Sequence, residues 1–431
     1  MSISVTFSST HSIAIGSDFF MARRPVVDRG RNLIAHELLF RQAGAEGASG
    51  SNGANGAVGE LPASASVIAD VIQYGMTRVL GDLPGMLCID GAALENELFT
   101  FLPADQVTLV LTEMPGAGAG VREQLAALRR RGFRFALAVT HRAQDIADLL
   151  DLIDGVRIDV TGRSAEELSR FCAGFRIHHK KLLAERVDTP DQFDLCASLG
   201  FDAFQGYFFT TPRMEGGAAL SPTQAAIMEL LEMLASDAED AVIEHKIKAD
   251  IALGLNLLRL ANTPAISTHR IDSLRQAMKV LGRNQLQRWL QLMLYADHGK
   301  AAAGAEVLAR QATTRGRLME LLAHKTRPGN RGQADTAFTI GIMSLMDTLF
   351  SMPMTDILEQ IPVAEEVSAA LLRREGYFGR LLDAAEYTEW RQASDAALGG
   401  VLAELQVSCK ELYLMQLLAF EWSDEVAGNF R

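Results

Sequence analysis

The sequence predicts a TIM-type (β/α)8 barrel with one antiparallel strand, followed by an all-α helical domain. In the first half, short apolar segments alternate with helical ones, as expected for strands that are buried on both faces. The first two strand segments are separated only by residues 28–32, which are too few for a helix and predict a hairpin. Beyond Pro212 the strand pattern stops, and helical periodicity continues almost to the end of the chain.

Eight strand candidates with interleaved helices over about 210 residues fit the (β/α)8 pattern. The candidate strands are 19–27, 33–40, 86–90, 107–112, 134–139, 155–159, 179–183 and 203–209. The candidate helices between them are 64–80, 121–131, 143–150 and 164–175. The Gly-, Ala-, Ser- and Asn-rich stretch 42–59 is expected to be a mobile loop.

The second half has the signals of a helical domain. Ser221 and Pro222 form an N-cap followed by proline at the first helical position. Within 284–297, apolar residues fall on one helical face, namely Leu286, Trp289, Leu290, Met293 and Leu294. We therefore divide the chain into a barrel at 1–212 and a helical domain at 213–431. The small residues at 214–219 are typical of a domain boundary, so the two parts are expected to be separately soluble.

Composition excludes several classes of function. The net charge is −12, with 19 basic and 25 acidic residues before Pro212 and 22 and 28 after it, so neither half has the basic excess of a nucleic-acid binder. The four cysteines include no CxxC pair and are expected to be reduced thiols rather than a metal site. No apolar run approaches the roughly 18–20 residues that span a bilayer, and the N-terminus lacks signal-peptide features. We expect a cytoplasmic protein without nucleic-acid or membrane partners.

Six segments of the barrel half occur in a characteristic order. They are RPVVD at 24–28, ELLFR at 37–41, LVLTE at 109–113, VRID at 156–159, AERVDT at 184–189 and QGYFF at 205–209, followed by Pro212. On these segments, residues 18–212 resemble the EAL family of cyclic-di-GMP phosphodiesterases. The resemblance implies a barrel whose active site uses two metal ions, about 3.5–4 Å apart, to hydrolyse a phosphodiester.

The metal-binding positions that this resemblance implies are only partly retained. Glu37 is present, and Asp90 replaces an asparagine that would ligate a metal. Val110 stands in place of the first glutamate of the fourth strand, and Ala138 and Val139 stand in place of the paired aspartates of the fifth. Valine and alanine offer no lone pair to a cation, and such hard cations need oxygen ligands. We therefore predict no metal, no cofactor and no catalytic residue in this barrel.

Two further positions depart from the resemblance, since Arg157 replaces a lysine and Asp188 replaces a glutamate. An arginine is too basic to lose a proton and differs from lysine in shape. The polar residues that remain define a vestigial site with possible ligand contacts: Glu37, Arg41, Asp90, Glu113, Arg157, Asp159, Glu185 and Gln205. They are predicted either to form an internal hydrogen-bond network or, as the alternative, to bind cyclic-di-GMP.

Three segments of the helical half form a second resemblance. LLRLANTP at 257–264, IDSLRQAM at 271–278 and VLG at 280–282 resemble the HDOD domain, a relative of HD-type metal hydrolases that lacks the metal site. None of the nine histidines is followed by an aspartate, so the His-Asp pair of those hydrolases is absent. Residues 338–349 and 354–372 resemble the tail that accompanies this domain in proteins that pair it with a degenerate EAL barrel.

Together the two resemblances imply an EAL–HDOD signalling protein. We expect a non-enzymatic adaptor that regulates processes such as motility, biofilm formation or stress responses, with protein partners bound by the helical domain. Two alternatives stay open. One is a cyclic-di-GMP receptor that uses the vestigial barrel site, and the other is a working phosphodiesterase.

Overall fold

The structure is a computed structural model. It describes residues 19–42, 75–89, 94, 102–112, 119–139, 149–211, 221–263, 266–296, 304–361, 363–389 and 395–429. Asp90, Glu113, the loop predicted at 42–59 (apart from residue 42) and most of the helices predicted at 64–80 and 143–150 lie outside these residues.

The N-terminal half is a closed barrel whose eight strands follow one another in sequence order. The strands are β1 (Phe19–Asp28), β2 (Leu33–Gln42), β3 (Gly85–Ile89), β4 (Val107–Leu111), β5 (Arg134–Val139), β6 (Gly155–Asp159), β7 (Lys181–Glu185) and β8 (Ala203–Phe204). Strand β1 is antiparallel to both of its neighbours, β2 and β8, whereas every other pair is parallel. The predicted mixed barrel with one antiparallel strand is confirmed.

The β1–β2 hairpin explains the antiparallel strand. In its turn the amide of Arg31 donates to the carbonyl of Asp28 at 2.9 Å, and Arg31 adopts a left-handed φ of 61°. The Asp28 carboxylate also accepts from the amide of Asn32 at 2.9 Å. Asp and Asn commonly stabilise tight turns in this way.

Predicted and observed strand bounds agree for β5 and β6, differ by one residue for β1, β3 and β4, and differ by two residues at the end of β2. The predictions for β7 and β8 were wrong at their ends. Strand β7 begins at Lys181 rather than 179, because the amides of residues 178–180 turn back to carbonyls at the end of the preceding helix and His179 has a left-handed φ of 53°. Strand β8 ends at Phe204 rather than 209, because Gly206 has a φ of 151° and the chain turns away from the sheet. The QGYFF segment therefore forms a loop at the carboxyl end of the barrel.

Four helices of the barrel half are described: α1 (Met76–Leu80), α2 (Ala119–Arg130), α3 (Ala165–Arg176) and α4 (Pro190–Leu199). The last two begin with capping boxes. Ser164 and Glu167 exchange side-chain and backbone hydrogen bonds at the start of α3, and Thr189 and Gln192 do so at the start of α4. The amino-acid sequence thus fixes where each of these helices begins.

The C-terminal half is helical, as predicted. Its described helices are α5 (Pro222–Ala235), α6 (Asp240–Ala249), α7 (Ile251–Ala261), α8 (Leu274–Ala296), α9 (Ala305–Thr326), α10 (Arg331–Met343), α11 (Met346–Phe350), α12 (Met354–Gln360), α13 (Glu365–Arg373), α14 (Gly376–Thr388), α15 (Asp395–Leu405) and α16 (Cys409–Asn429). The predicted start is confirmed, with Ser221 capping α5 and Pro222 at its first position. Helix α8 is broken at Gly282, whose φ is 71°.

The asparagine of the LLRLANTP segment has a structural role. Asn262 donates through Nδ2 to the carbonyls of Leu258 and Ile271, both at 2.8 Å, and its Oδ1 accepts from the amide of Ile271 at 2.8 Å. These bonds close the connection between α7 and α8. This part of the HDOD-like signature therefore serves the fold.

The two halves share buried contacts. Val307 of α9 and Tyr413, Leu417 and Phe420 of α16 belong to the same hydrophobic cluster as the outward-facing residues of the barrel strands. The predicted boundary at 212/213 lies outside the described residues, and the separate solubility of the two parts stays a prediction. A barrel cut from the helical half would nonetheless expose the apolar surface that α16 covers.

Among the described helices, none is by itself long and apolar enough to cross a membrane. One pair, residues 331–350 and 354–360, meets the length and composition criteria only when joined across a bend of 113°. Several residues of the first member are buried inside the helical half, including Phe338, Ile340 and Met346.

Candidate functional site: a polar layer inside the barrel

The barrel interior is built of layers, because every second residue of a barrel strand points inward. An apolar layer is formed by Val26, Ala35, Met86, Leu183 and Ala203. Two residues further toward the carboxyl ends of the parallel strands, the inward positions become polar. This polar layer comprises Arg24, Glu37, Cys88, Arg157, Glu185 and Gln205. It lies at the end where barrels of this type bind their ligands.

Glu37 of β2 is the centre of the polar layer. Its Oε1 accepts from Arg157 Nη1 at 2.6 Å and from the Cys88 thiol at 2.9 Å. Its Oε2 accepts from Gln205 Nε2 and lies 3.3 Å from Arg24 Nε. Burial disfavours the charged carboxylate, but the two guanidinium groups and the hydrogen bonds outweigh burial and lower the pKa of Glu37 to about 2. Both oxygens of this carboxylate are therefore already engaged.

Arg157 of β6 links two carboxylates across the interior. Besides its bond to Glu37, its Nε lies 3.1 Å from Glu185 Oε2, and the three side chains are at most 6% exposed. Strands β2 and β6 are not neighbours in the barrel, so Arg157 and Glu37 meet only through the interior. Burial opposes the charge of Arg157, but Cys88, Glu185 and Glu37 raise its pKa, so it stays protonated.

The remaining members of the layer complete its charge balance. Burial raises the pKa of Glu185 and that of the Cys88 thiol, and it lowers the pKa of Arg24. Among the described residues, two guanidinium groups, of Arg24 and Arg157, face two carboxylates, of Glu37 and Glu185. Such pairing stabilises buried charges that would otherwise be costly.

The described residues of the polar layer do not fit a pair of metal ions. Val110 is in register with Cys88, and Ala138 is in register with Arg157, so both share the inward face but offer no ligand atom. Val139 is in register with Ile158 and belongs to the outer core between strands and helices. Within the described ranges, no group of three or more His, Cys, Asp or Glu residues is arranged to hold a metal.

The other predicted site residues have different positions. Asp159, at the end of β6, is in register with Glu185, but its Oδ1 accepts from the amide of Thr161 at 2.9 Å and its Oδ2 pairs with Arg186 at 3.4 Å. Arg41 lies in β2, and its side chain is outside the described part of the structure, as are Asp90 and Glu113. The structure thus brings together Glu37, Arg157, Glu185 and Gln205 among the predicted site residues.

Sequence reasoning missed two members of the layer, Arg24 and Cys88. Both were detectable from the two-residue period of a strand. Arg24 lies two residues before the inward Val26, and Cys88 lies two residues after the inward Met86. The sequence alone does not show which inward side chains meet across the barrel. Arg157 and Glu37, for example, are in contact although they are 120 residues apart in the chain.

Comparison with known proteins agrees with this architecture. Residues 218–374 match the HDOD domain family. YuxH of Bacillus subtilis is 27% identical over 94% of this chain and 97% of its own length. The cyclic di-GMP phosphodiesterase CdgJ of Vibrio cholerae is 27% identical over 94% of this chain and 93% of its own length. An EAL domain protein from Listeria monocytogenes has a TM-score of 0.36 at 15% identity, and the match covers 48% of this chain and 94% of that one.

The similarities involve both halves of the chain. The six signature segments lie on or directly beside the strands of a closed mixed barrel, and the helical half contains the HDOD match. The full-length similarity to the relatives extends across both parts. The chain thus contains an HDOD domain at residues 218–374, and this domain follows a closed mixed barrel whose segments resemble the EAL family.

Proposed function

We propose that this protein is a non-catalytic regulator in cyclic-di-GMP-linked signalling that acts through protein contacts of its helical half. The link to this signalling class comes from the relative CdgJ, which is named as a cyclic di-GMP phosphodiesterase. The observation that carries the non-catalytic part is the position of Arg157. Its guanidinium lies between Glu185 and Glu37, and Glu37 is a metal-binding position that the resemblance implies.

The energetics of the polar layer support this proposal. A metal at Glu37 would have to displace Arg157, Arg24 and two further hydrogen-bond donors. Breaking a buried ion pair costs about 3–5 kcal/mol, because the charge left behind has no partner. Val110 and Ala138 add no ligand that would offset this cost. Among the described residues, Glu37 is therefore committed to other partners, and Val110 and Ala138 supply no ligand for hydrolysis by the two-metal route.

We assign partner binding to the helical half because of the residues it contains and lacks. It contains an HDOD match and no His-Asp dipeptide. A folded domain without catalytic groups serves most simply as a binding surface, through an apolar patch with a polar rim. The barrel would then determine how this surface is presented, since α9 and α16 pack directly against it.

A phosphodiesterase is the second candidate, and the name of the relative CdgJ favours it. Purified full-length protein with Mg²⁺ or Mn²⁺ is expected to produce no linear dinucleotide from cyclic-di-GMP above the protein-free rate. Glu37→Gln, which keeps the shape of the side chain, is the matched control. Metal-dependent turnover that disappears in Glu37→Gln would refute the proposal.

Calorimetry on the same preparation distinguishes a cyclic-di-GMP receptor from the proposed adaptor. We expect no binding of cyclic-di-GMP tighter than about 10 μM, or roughly −7 kcal/mol, because no metal neutralises the phosphates. A sub-micromolar dissociation constant without turnover would favour the receptor over the adaptor.

A further inference from the structure

The loop that follows β8, residues 205–211, begins in the polar layer of the barrel. We call it the bridge segment. Gln205 donates through Nε2 to Glu37, its amide donates to the carbonyl of Ala184 at 2.9 Å, and its carbonyl accepts from the amide of Val187 at 3.0 Å. The position of this residue is therefore fixed by both the layer and strand β7.

The middle of the bridge segment is held tightly against the loop after β7. At Gly206, with a φ of 151°, an added Cβ would lie 2.0 Å from the carbonyl oxygen of Val187, so only glycine fits. The same carbonyl accepts from the amide of Phe208 at 3.1 Å. Thr211 donates through Oγ1 to the carbonyl of Asp188 at 3.2 Å. A displacement at Gln205 cannot be absorbed freely within so constrained a loop.

The far side of the bridge segment is bonded to the helical half. The Tyr207 hydroxyl donates to the carbonyl of Glu389, the C-cap of α14, at 2.6 Å. Thr348 of α11 donates through Oγ1 to the carbonyl of Thr210 at 2.9 Å. Both bonds join residues from opposite halves of the chain.

Glu389 in turn belongs to a buried charge network within the helical half. Its carboxylate accepts from Arg315 Nε at 2.7 Å and Nη2 at 2.6 Å, and also from Gln311. Arg315 is only 4% exposed and further contacts Glu386 at 3.2 Å and Ser344 at 2.9 Å. Arg315 of α9 is thereby joined to Ser344, the C-cap of α10, and to the last turn and C-cap of α14.

We infer that the bridge segment is a mechanical link that transmits a change in the barrel's polar layer to the Arg315 network of the helical half. The path consists of Gln205, the constrained Gly206, the Tyr207 hydroxyl and the end of α14. Its responsive element is the last turn of α14, which opens locally when the bond at the Glu389 carbonyl is lost. The inference gives the proposed function a route by which the barrel influences the partner-binding half, and it does not require the barrel to be inactive.

The test is hydrogen exchange measured on the full chain in a double-mutant cycle. Gln205→Ala is expected to raise amide exchange at residues 384–389 about fivefold, the effect of losing roughly one hydrogen bond's stability. When Tyr207→Phe is already present, Gln205→Ala is expected to raise the exchange rate of the same amides by less than about twofold. Exchange in β7 should respond to Gln205→Ala equally in both backgrounds.

Tyr377→Phe is the matched control, because Tyr377 also lies on α14 and its hydroxyl is 2.6 Å from that of Thr326, within the helical half. The transmitted response to Gln205→Ala should persist in this control. An unchanged exchange rate at 384–389 while β7 responds would overturn the inference, as would an equal response with and without the Tyr207 hydroxyl. Neither result depends on turnover, so failure here is distinct from failure of the proposed function.

Discussion

Arg157→Met is expected to lower the free energy of unfolding by about 3–5 kcal/mol, the cost of breaking a buried ion pair. The variant keeps a similar volume, but Glu37 and Glu185 lose the guanidinium that lies 2.6 Å and 3.1 Å from their carboxylates. Arg24 alone then faces both buried carboxyl groups. Urea unfolding followed by circular dichroism, read at the first transition of the chain, measures the loss.

The pH dependence of this variant follows from the pKa of Glu37. In the wild type this pKa is lowered to about 2, so the group contributes stability above its unfolded pKa of about 4.3, and the contribution is lost as the pH falls toward 2. In Arg157→Met one of the two guanidinium groups that lower this pKa is missing, while Arg24 remains, so part of that contribution is lost. The stability difference between the two proteins should therefore be largest near neutral pH and shrink below about pH 4.

Arg129→Met is the control for charge removal in the same barrel. Arg129 pairs with Asp154 at 3.0 Å, but both side chains are more than a third exposed. Exposed pairs contribute little, so the midpoint of unfolding should hardly move. Equal losses for Arg129→Met and Arg157→Met would contradict the assignment of Arg157 as the centre of a buried network.

Asp424→Ala is the second variant with a large expected effect. It should lower the free energy of unfolding by about 3 kcal/mol, because it releases α16 from the barrel. Asp424 accepts from Arg23 Nη1 at 2.8 Å and Nη2 at 2.9 Å, and also from Arg310 of α9. Without the carboxylate, two largely buried arginines face each other. The guanidinium of Arg23 also lies over the Phe420 ring, so the apolar cover of the barrel is expected to loosen.

Hydrogen exchange should locate this loss in β1, β2 and α16. Glu421→Ala on the same helix is the matched control, because its pair with Arg78 at 3.0 Å is well exposed and worth at most about 1 kcal/mol. A loss of stability in Asp424→Ala no larger than in Glu421→Ala would show that the two halves do not depend on this contact.

Local signals in the sequence were sufficient for most of the fold. The hairpin between β1 and β2 followed from a connection too short for a helix. The helix predicted at 164–175 is observed at Ala165–Arg176, and the N-cap predicted at Ser221 is present. The early end of β8 was missed because an apolar run does not reveal the close approach of Gly206 to Val187.

Contacts between residues that are far apart in the chain could not be predicted from the sequence. The substitution at Arg157 was visible, but its partners Glu37 and Glu185 come from strands that become close only in the closed barrel. Likewise, Arg23 and Asp424 are 401 residues apart. The internal network that the sequence left open as one alternative is what the described residues form around Glu37.

Titration of the full-length protein with Mn²⁺, followed by electron paramagnetic resonance of the free ion, tests the central claim most directly. Because Glu37 is committed to Arg157, Arg24, Cys88 and Gln205, the account predicts no Mn²⁺ bound at this site at concentrations up to about 1 mM. One or two ions bound more tightly than about 10 μM, and released by Glu37→Gln, would contradict it.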